Sequence, residues 1–173
     1  MIVKAISHKS AKKKSIAKLI AYCFNEKKTV DINMNRESVI VKRFIRSFDQ
    51  EKWIESFQKN DMQRNFNHKN RTVLRHEIVS FSKADNEKIN SEMLYEFGKW
   101  YLNNRSNAIG IGTVHWEESI HFHFIIAGVG NDGNSTRVSR EDFKKFKIRL
   151  QDYQMEYFPE LTNSIVNHSK KNL

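Results

Sequence analysis

Residues 114–129, VHWEESIHFHFIIAGV, limit the fold more than any other stretch of this 173-residue chain. Two apolar runs, residues 108–116 and 120–129, are separated only by the short link Glu117, Glu118 and Ser119. Such spacing predicts an antiparallel hairpin. Side chains at i and i+2 of a strand share a face, so His121 and His123 point the same way, while Phe122, Phe124 and Ile126 face a core on the other side. The hairpin brings His115, on the preceding strand, beside them. Three imidazoles converging from adjacent strands can hold a divalent metal and leave positions open for a substrate oxygen. Glu117 and Glu118 could orient an imidazole or complete the coordination. The competing reading is an inert group of half-buried histidines. Three of the seven histidines within nine residues weigh against it.

The rest of the chain alternates strands and helices. Residues 1–6 read as a strand, and Ser10 can cap a helix over 11–24, where Ile16, Leu19, Ile20 and Cys23 repeat at helical spacing. A second helix is expected over 51–66, with Trp53, Ile54 and Phe57 as its apolar stripe, before a polar break at 67–71. Residues 74–82, LRHEIVSFS, alternate as a strand. A helix starting at Asp85 or Asn86 and running to about 103 carries Ile89, Met93, Phe97 and Trp100 on one face. A turn at Asn131–Asn134 leads to a helix over 143–157, capped by Ser139 and stopped by Pro159. This order predicts a single α+β domain over residues 1–173, with an antiparallel central sheet and helices packed mainly on one face.

Thirty Lys and Arg against twenty Asp and Glu give a formal charge of +10, which favours a polyanionic partner through counterion release. No run approaches the ~18 apolar residues of a spanning helix, so a membrane partner is not expected. The single cysteine, Cys23, excludes an intrachain disulfide framework and a multi-cysteine zinc site. It reads as a small packed residue more readily than as a nucleophile.

The pattern H-x-E…H-x-H followed by an apolar run resembles motif III of the HUH relaxases, the mobilisation nucleases of the MobA/VirD2 type. Two further stretches are similar to that family in the same order. KSIAKLIAYCFNEKKT resembles the helix that ends in a nucleophilic tyrosine, which falls on Tyr22. HEIVSFS resembles the strand whose Ser-Phe abuts the DNA backbone, with His76 and Ser80 in those positions. The similarity spans about residues 1–130. It departs from the family in having Glu rather than Asp at 117, and in a link one residue shorter than usual between the first and second histidines.

The resemblance implies site- and strand-specific nicking of DNA by tyrosine transesterification, with Mg²⁺ or Mn²⁺ on His115, His121 and His123. It also implies a 5′-phosphotyrosine intermediate able to rejoin strands. His76 becomes a candidate general base if its strand lies beside the triad. A bacterial, mobile-element-encoded cytoplasmic protein working with accessory mobilisation proteins would follow. DNA contacts are expected from Ser80, from Lys12, Lys13, Lys14, Lys69 and Arg71, and from Trp116 as a stacking platform. Tyr153 and Tyr157 are the rival nucleophiles, as in replication initiators or HUH transposases, although their spacing with Phe143, Phe146 and Leu150 puts them on an apolar helix face. A catalytically silent DNA-binding module is the alternative from another class. A cupin-like metal protein is disfavoured by the scarcity of Gly and Pro.

Overall fold

The predicted hairpin is present at the centre of the sheet. In the computed structural model, which describes residues 1–66 and 68–166, strand β4 (Gly110–His115) pairs antiparallel with β5 (His121–Ala127), His115 opposite His121. Asn67, the first residue of the expected polar break, and residues 167–173 lie outside the described residues.

The remaining elements follow in chain order as β1 (Ile2–His8), α1 (Lys13–Cys23), α2 (Glu26–Thr29), β2 (Ile40–Arg43), α3 (Gln50–Met62) and β3 (Leu74–Ser80), then α4 (Ser91–Arg105) before the hairpin and α5 (Arg140–Tyr157) after it. The five strands form one antiparallel sheet in the order β1-β3-β5-β4-β2. The α+β class and the antiparallel centre are those expected from the sequence.

The pleat sorts side chains between two faces. Phe122 and Phe124 pack beneath α4, with Tyr101 stacked on Phe124 at 4.0 Å between ring centroids. Glycines permit this close approach. A Cβ on Gly98 would stand 2.6 Å from Phe122, and one on Gly112 would stand 2.6 Å from Phe124. Below α4, Glu77 of β3 is buried and receives Arg105 Nε at 2.9 Å, Arg105 Nη2 at 2.6 Å and the Tyr101 hydroxyl at 2.7 Å. α5 packs outside α4, Tyr153 stacking on Trp100 at 4.7 Å. The opposite face carries the histidines and is partly covered by α1 and α3 through Ile16, Ile20, Trp53 and Phe57. The helices thus divide between the two faces, a detail that helical periodicity alone cannot assign.

Several boundaries differ from the sequence reading: α1 starts at Lys13 with Lys12 rather than Ser10 as its N-cap, and α5 starts at Arg140, three residues earlier than expected. β2, IVKR, is a four-residue edge strand, too short for periodicity to reveal; pairing with β4 creates it, Val41 lying opposite Gly112. Residues 83–88 form a 3-10 turn rather than the start of a helix, because the Asn90 side chain accepts Met93 N–H at 2.9 Å and starts α4 there. α3 ends at Met62, four residues before the expected stop. The Ser139 cap is present, accepting Asp142 N–H at 3.0 Å. Among the described residues no helix is long and apolar enough to cross a membrane.

Candidate metal centre

The face of β4 and β5 away from α4 holds His115, His121 and His123, one ligand atom of each lying within 4.8 Å of the others. Hydrogen bonds fix which nitrogens face inward. His115 Nε2 donates to the Cys23 carbonyl at 2.7 Å, which turns Nδ1 inward. His121 Nδ1 donates to the Ser119 carbonyl at 2.6 Å, which leaves Nε2 inward. His123 Nε2 lies 3.1 Å from His115 Nδ1, and its Nδ1 lies 2.7 Å from His76 Nε2 on β3. Each imidazole therefore has an outer partner and an inner nitrogen, the arrangement of metal-bound histidines. Two nitrogens on one cation at about 2.1 Å stand roughly 3.0–3.4 Å apart, so the pair at 3.1 Å fits a shared ion.

Electrostatics favour ligation. Burial, with a smaller contribution from the neighbouring imidazoles, depresses the His123 pKa to about 2; burial likewise leads in taking His76 to about 4 and lowers His115. Neutral imidazoles can ligate without first losing a proton. Glu117 completes the ring, Oε2 lying 3.9 Å from His115 Nδ1 and 3.8 Å from His121 Nε2, the two inward nitrogens. Its other oxygen pairs with Lys28 Nζ at 2.9 Å, a contact that holds the carboxyl below its ordinary range. The donor set of three imidazole nitrogens and one carboxylate suits a divalent cation.

Tyr22 stands over this group near the end of α1. Its ring centroid is 5.6 Å from His123, 6.2 Å from His115 and 6.4 Å from His76, and the side chain is 52% exposed. Lys28 Nζ lies 5.7 Å from the same ring. The next residue, Cys23, is fully buried with its thiol pushed up to about 12 by desolvation, so it serves as packing and as the carbonyl that orients His115. Tyr153 and Tyr157 belong to α5, beyond α4 on the opposite side of the sheet, and neither phenol is near the histidines.

Some expectations change. His76 does lie beside the triad, but its Nε2 is engaged by His123, so it is not free to take a proton from Tyr22. Trp116 cannot stack on DNA: it is buried, its indole N–H donates to the Glu37 carbonyl at 3.1 Å, and the Arg36 guanidinium covers its ring at 5.1 Å. The residue after His115 leaves the strand towards the 36–37 segment, which closes over it. Ser80 is on the histidine face, opposite His121 in register.

Basic residues line two pockets, one of which holds the expected Lys69 and Arg71. One, of about 480 Å³, runs from Tyr22 along α1 and includes His8, Lys9 and Lys18. The other, of about 780 Å³, is lined by His68, Lys69, Arg71 and Arg137. Lys9 Nζ donates to Asn70 Oδ1 at 3.4 Å and joins their rims. Lys12, Lys13 and Lys14 open α1 as exposed charges, Lys13 pairing with Glu51 at 2.7 Å. Sequence reasoning passed over Lys18 and Lys28; the second stands in the polar Lys-Thr turn after Tyr22, which was the available signal.

The chain is thus an α+β fold whose antiparallel sheet bears a histidine cluster able to hold a cation, with a tyrosine from the first helix above it. Several solved structures similar to it are relaxase domains. The MobM relaxase domain (MOBV; Mob_Pre), bound to plasmid pMV158 oriT DNA of 22 nt and to Mn at pH 4.6, aligns with TM-score 0.64 and 18% identity over 99% of this chain and 94% of that one. The same domain at pH 5.5 gives TM-score 0.60 and 19% identity over 91% and 88%. A structure described as the molecular basis of vancomycin resistance transfer in Staphylococcus aureus gives TM-score 0.58 and 16% identity over 98% of both chains. At these identities the likeness is one of fold. No family model and no curated protein sequence matches the chain.

Proposed function

We propose that this chain is a divalent-metal-dependent relaxase that nicks one strand of DNA by transesterification on Tyr22. The observation that carries the reading is the exposed Tyr22 ring 5.6 Å from His123, at the mouth of a cluster whose inner nitrogens converge on one point. Support for the substrate comes from the relaxase fold, the oriT DNA bound by MobM, and the net charge of +10.

His115 Nδ1, His121 Nε2 and His123 Nε2 would hold the cation, with Glu117 as a fourth donor or as the acceptor for a bound water. When bound, the cation supplies positive charge at a non-bridging oxygen of the scissile phosphate, where charge builds as phosphorus is attacked. In the ligating tautomer His123 presents Nε2 inward and donates Nδ1–H to His76 Nε2, which makes His76 a positioning residue. The Cys23 carbonyl couples the end of α1, and so Tyr22, to His115.

The chemistry exchanges one phosphoester for another. A bond forms between the Tyr22 Oη and phosphorus, the bond from phosphorus to the 3′-oxygen breaks, and the phenol proton is replaced by one on the departing 3′-oxygen. The new 5′-phosphotyrosine retains the energy of the original ester, so the 3′-hydroxyl can reverse the step without ATP. A phenol is a weak nucleophile at neutral pH, so the step depends on stabilising the charge that builds at the phosphate.

The test uses labelled single-stranded DNA from a transfer-origin-like site with Mn²⁺. A covalent adduct is expected with wild type, Tyr153→Phe and Tyr157→Phe, and none with Tyr22→Phe. An adduct that survives Tyr22→Phe defeats the assignment of the nucleophile. Absence of any adduct alongside intact DNA affinity favours a silent binding module.

A further inference from the structure

Residues 31–36 form a tight turn that nothing in the proposed chemistry uses. Asp31 and Arg36 exchange backbone hydrogen bonds at 3.0 and 2.8 Å, Met34 N–H donates to Asp31 Oδ1 at 3.3 Å, and Asn35 adopts φ 51°. The base of the turn is clamped. Arg36 lies 5.1 Å over the Trp116 ring, pairs with Asp31 at 3.5 Å and donates to the Asn86 carbonyl at 2.5 Å. Trp116 follows the metal-facing His115, and its N–H donates to the Lys28 carbonyl at 2.8 Å. The turn is thus braced against Trp116, the residue after His115.

Its tip is apolar and uncovered. Ile32 is 88% exposed, the highest value of any large hydrophobic among the described residues, and Met34 is 54% exposed. Water is a poor solvent for such side chains, and a turn braced at its base presents them at little cost in ordering. Asn33 and Asn35 alternate with them, offering amide groups that can bond to base edges.

We infer that this turn is a wedge that enters the bound strand beside the nicking site and parts stacked bases, Ile32 and Met34 sliding between them. The inference rests on the reading of this chain as a DNA-nicking enzyme. Aliphatic and methionine side chains perform such unstacking in other DNA-binding proteins. Three observations favour DNA over a protein partner at this tip: its attachment to the residue after His115, the cationic Lys27 and Lys28 before it, and the amides between its apolar groups. Parting the stack would free the backbone at the scissile phosphate to extend towards Tyr22.

The experiment follows the fluorescence of a mixed-sequence single strand with 2-aminopurine scattered through it, in the presence of Mn²⁺, with affinity measured in parallel by gel shift. Wild type should raise the fluorescence about threefold as bases unstack, and Ile32→Ser/Met34→Ser should cut that rise to about one quarter while affinity stays within about threefold. Unchanged Mn²⁺ binding by calorimetry verifies that the double variant is folded. Benzoylphenylalanine in place of Met34 should cross-link to the labelled strand, and in place of Ile148, on α5, should not. A double variant that binds DNA and brightens like wild type overturns the wedge and leaves the nuclease reading standing. Failure of wild type to bind DNA overturns both.

Discussion

His123 binds the candidate centre together, because its two ring nitrogens serve different neighbours. One faces His115 across the cation position and the other faces His76. If His76 sets the tautomer of His123, His76→Ala should weaken Mn²⁺ binding about 10- to 100-fold by calorimetry, the usual scale for an outer partner of a metal-bound histidine. His76→Gln keeps an acceptor and should recover part of the loss; equal affinities in Ala and Gln variants would reduce His76 to packing. The same residues govern pH behaviour. Their folded pKa values, about 4 for His76 and about 2 for His123, lie below the ordinary 6.5, so the unfolded chain binds protons that the folded chain refuses. Stability of the metal-free protein is complete above pH ~6.5 and drains as pH falls from there towards 4. Calorimetric melting at pH 7 and pH 5 checks this: the lower pH should give the lower Tm, and His76→Gln should narrow the gap.

Among the elements, α4 fixes the geometry of the site from the far side of the sheet. Its Gly98 lies against Phe122 and Val41, while Arg105 and Tyr101 bind the buried carboxylate of Glu77, the neighbour of His76 on β3. In an exposed helix Gly→Ala gains up to about 1 kcal/mol from propensity. At Gly98 the added methyl has no room, so Gly98→Ala should instead destabilise by about 1–3 kcal/mol in urea unfolding, and a gain would show that α4 rides higher than described. Arg105→Ala leaves Glu77 buried without its partner and should cost about 3–5 kcal/mol. The legibility of these elements varied with their length. α1 and the hairpin carry full stripes or alternation. β2 has four residues and no periodicity, and exists because β4 offers an edge with a glycine opposite Val41.

Across the whole molecule, positive charge gathers around the mouth of the centre and not only within it. Lys9 and Lys18 flank the Tyr22 pocket, Lys69 and Arg71 the neighbouring one, and Lys12 and Lys14 stand at the start of α1. A single strand following this path would displace counterions at each contact. For each tenfold rise in salt, binding should weaken by about 0.7 log unit per contacted phosphate, and Lys12→Ala/Lys14→Ala should make that slope shallower by about 1.4 if both lysines touch the strand. An unchanged slope would move the path away from the start of α1.

What the sequence determined by itself was local. Two-residue alternation put His121 and His123 on one face, the three-residue link returned His115 to them, and helical spacing ended α1 with Tyr22 beside a polar turn. What only the tertiary structure decided was which surfaces meet: His76 joining His123, Lys28 reaching Glu117, Trp116 disappearing under Arg36, and α5 taking its tyrosines to the other side of the sheet. The division has a physical cause. Periodicity records the direction of a side chain relative to its own backbone, whereas these contacts join residues tens of positions apart, and strand order and helix packing bring them together.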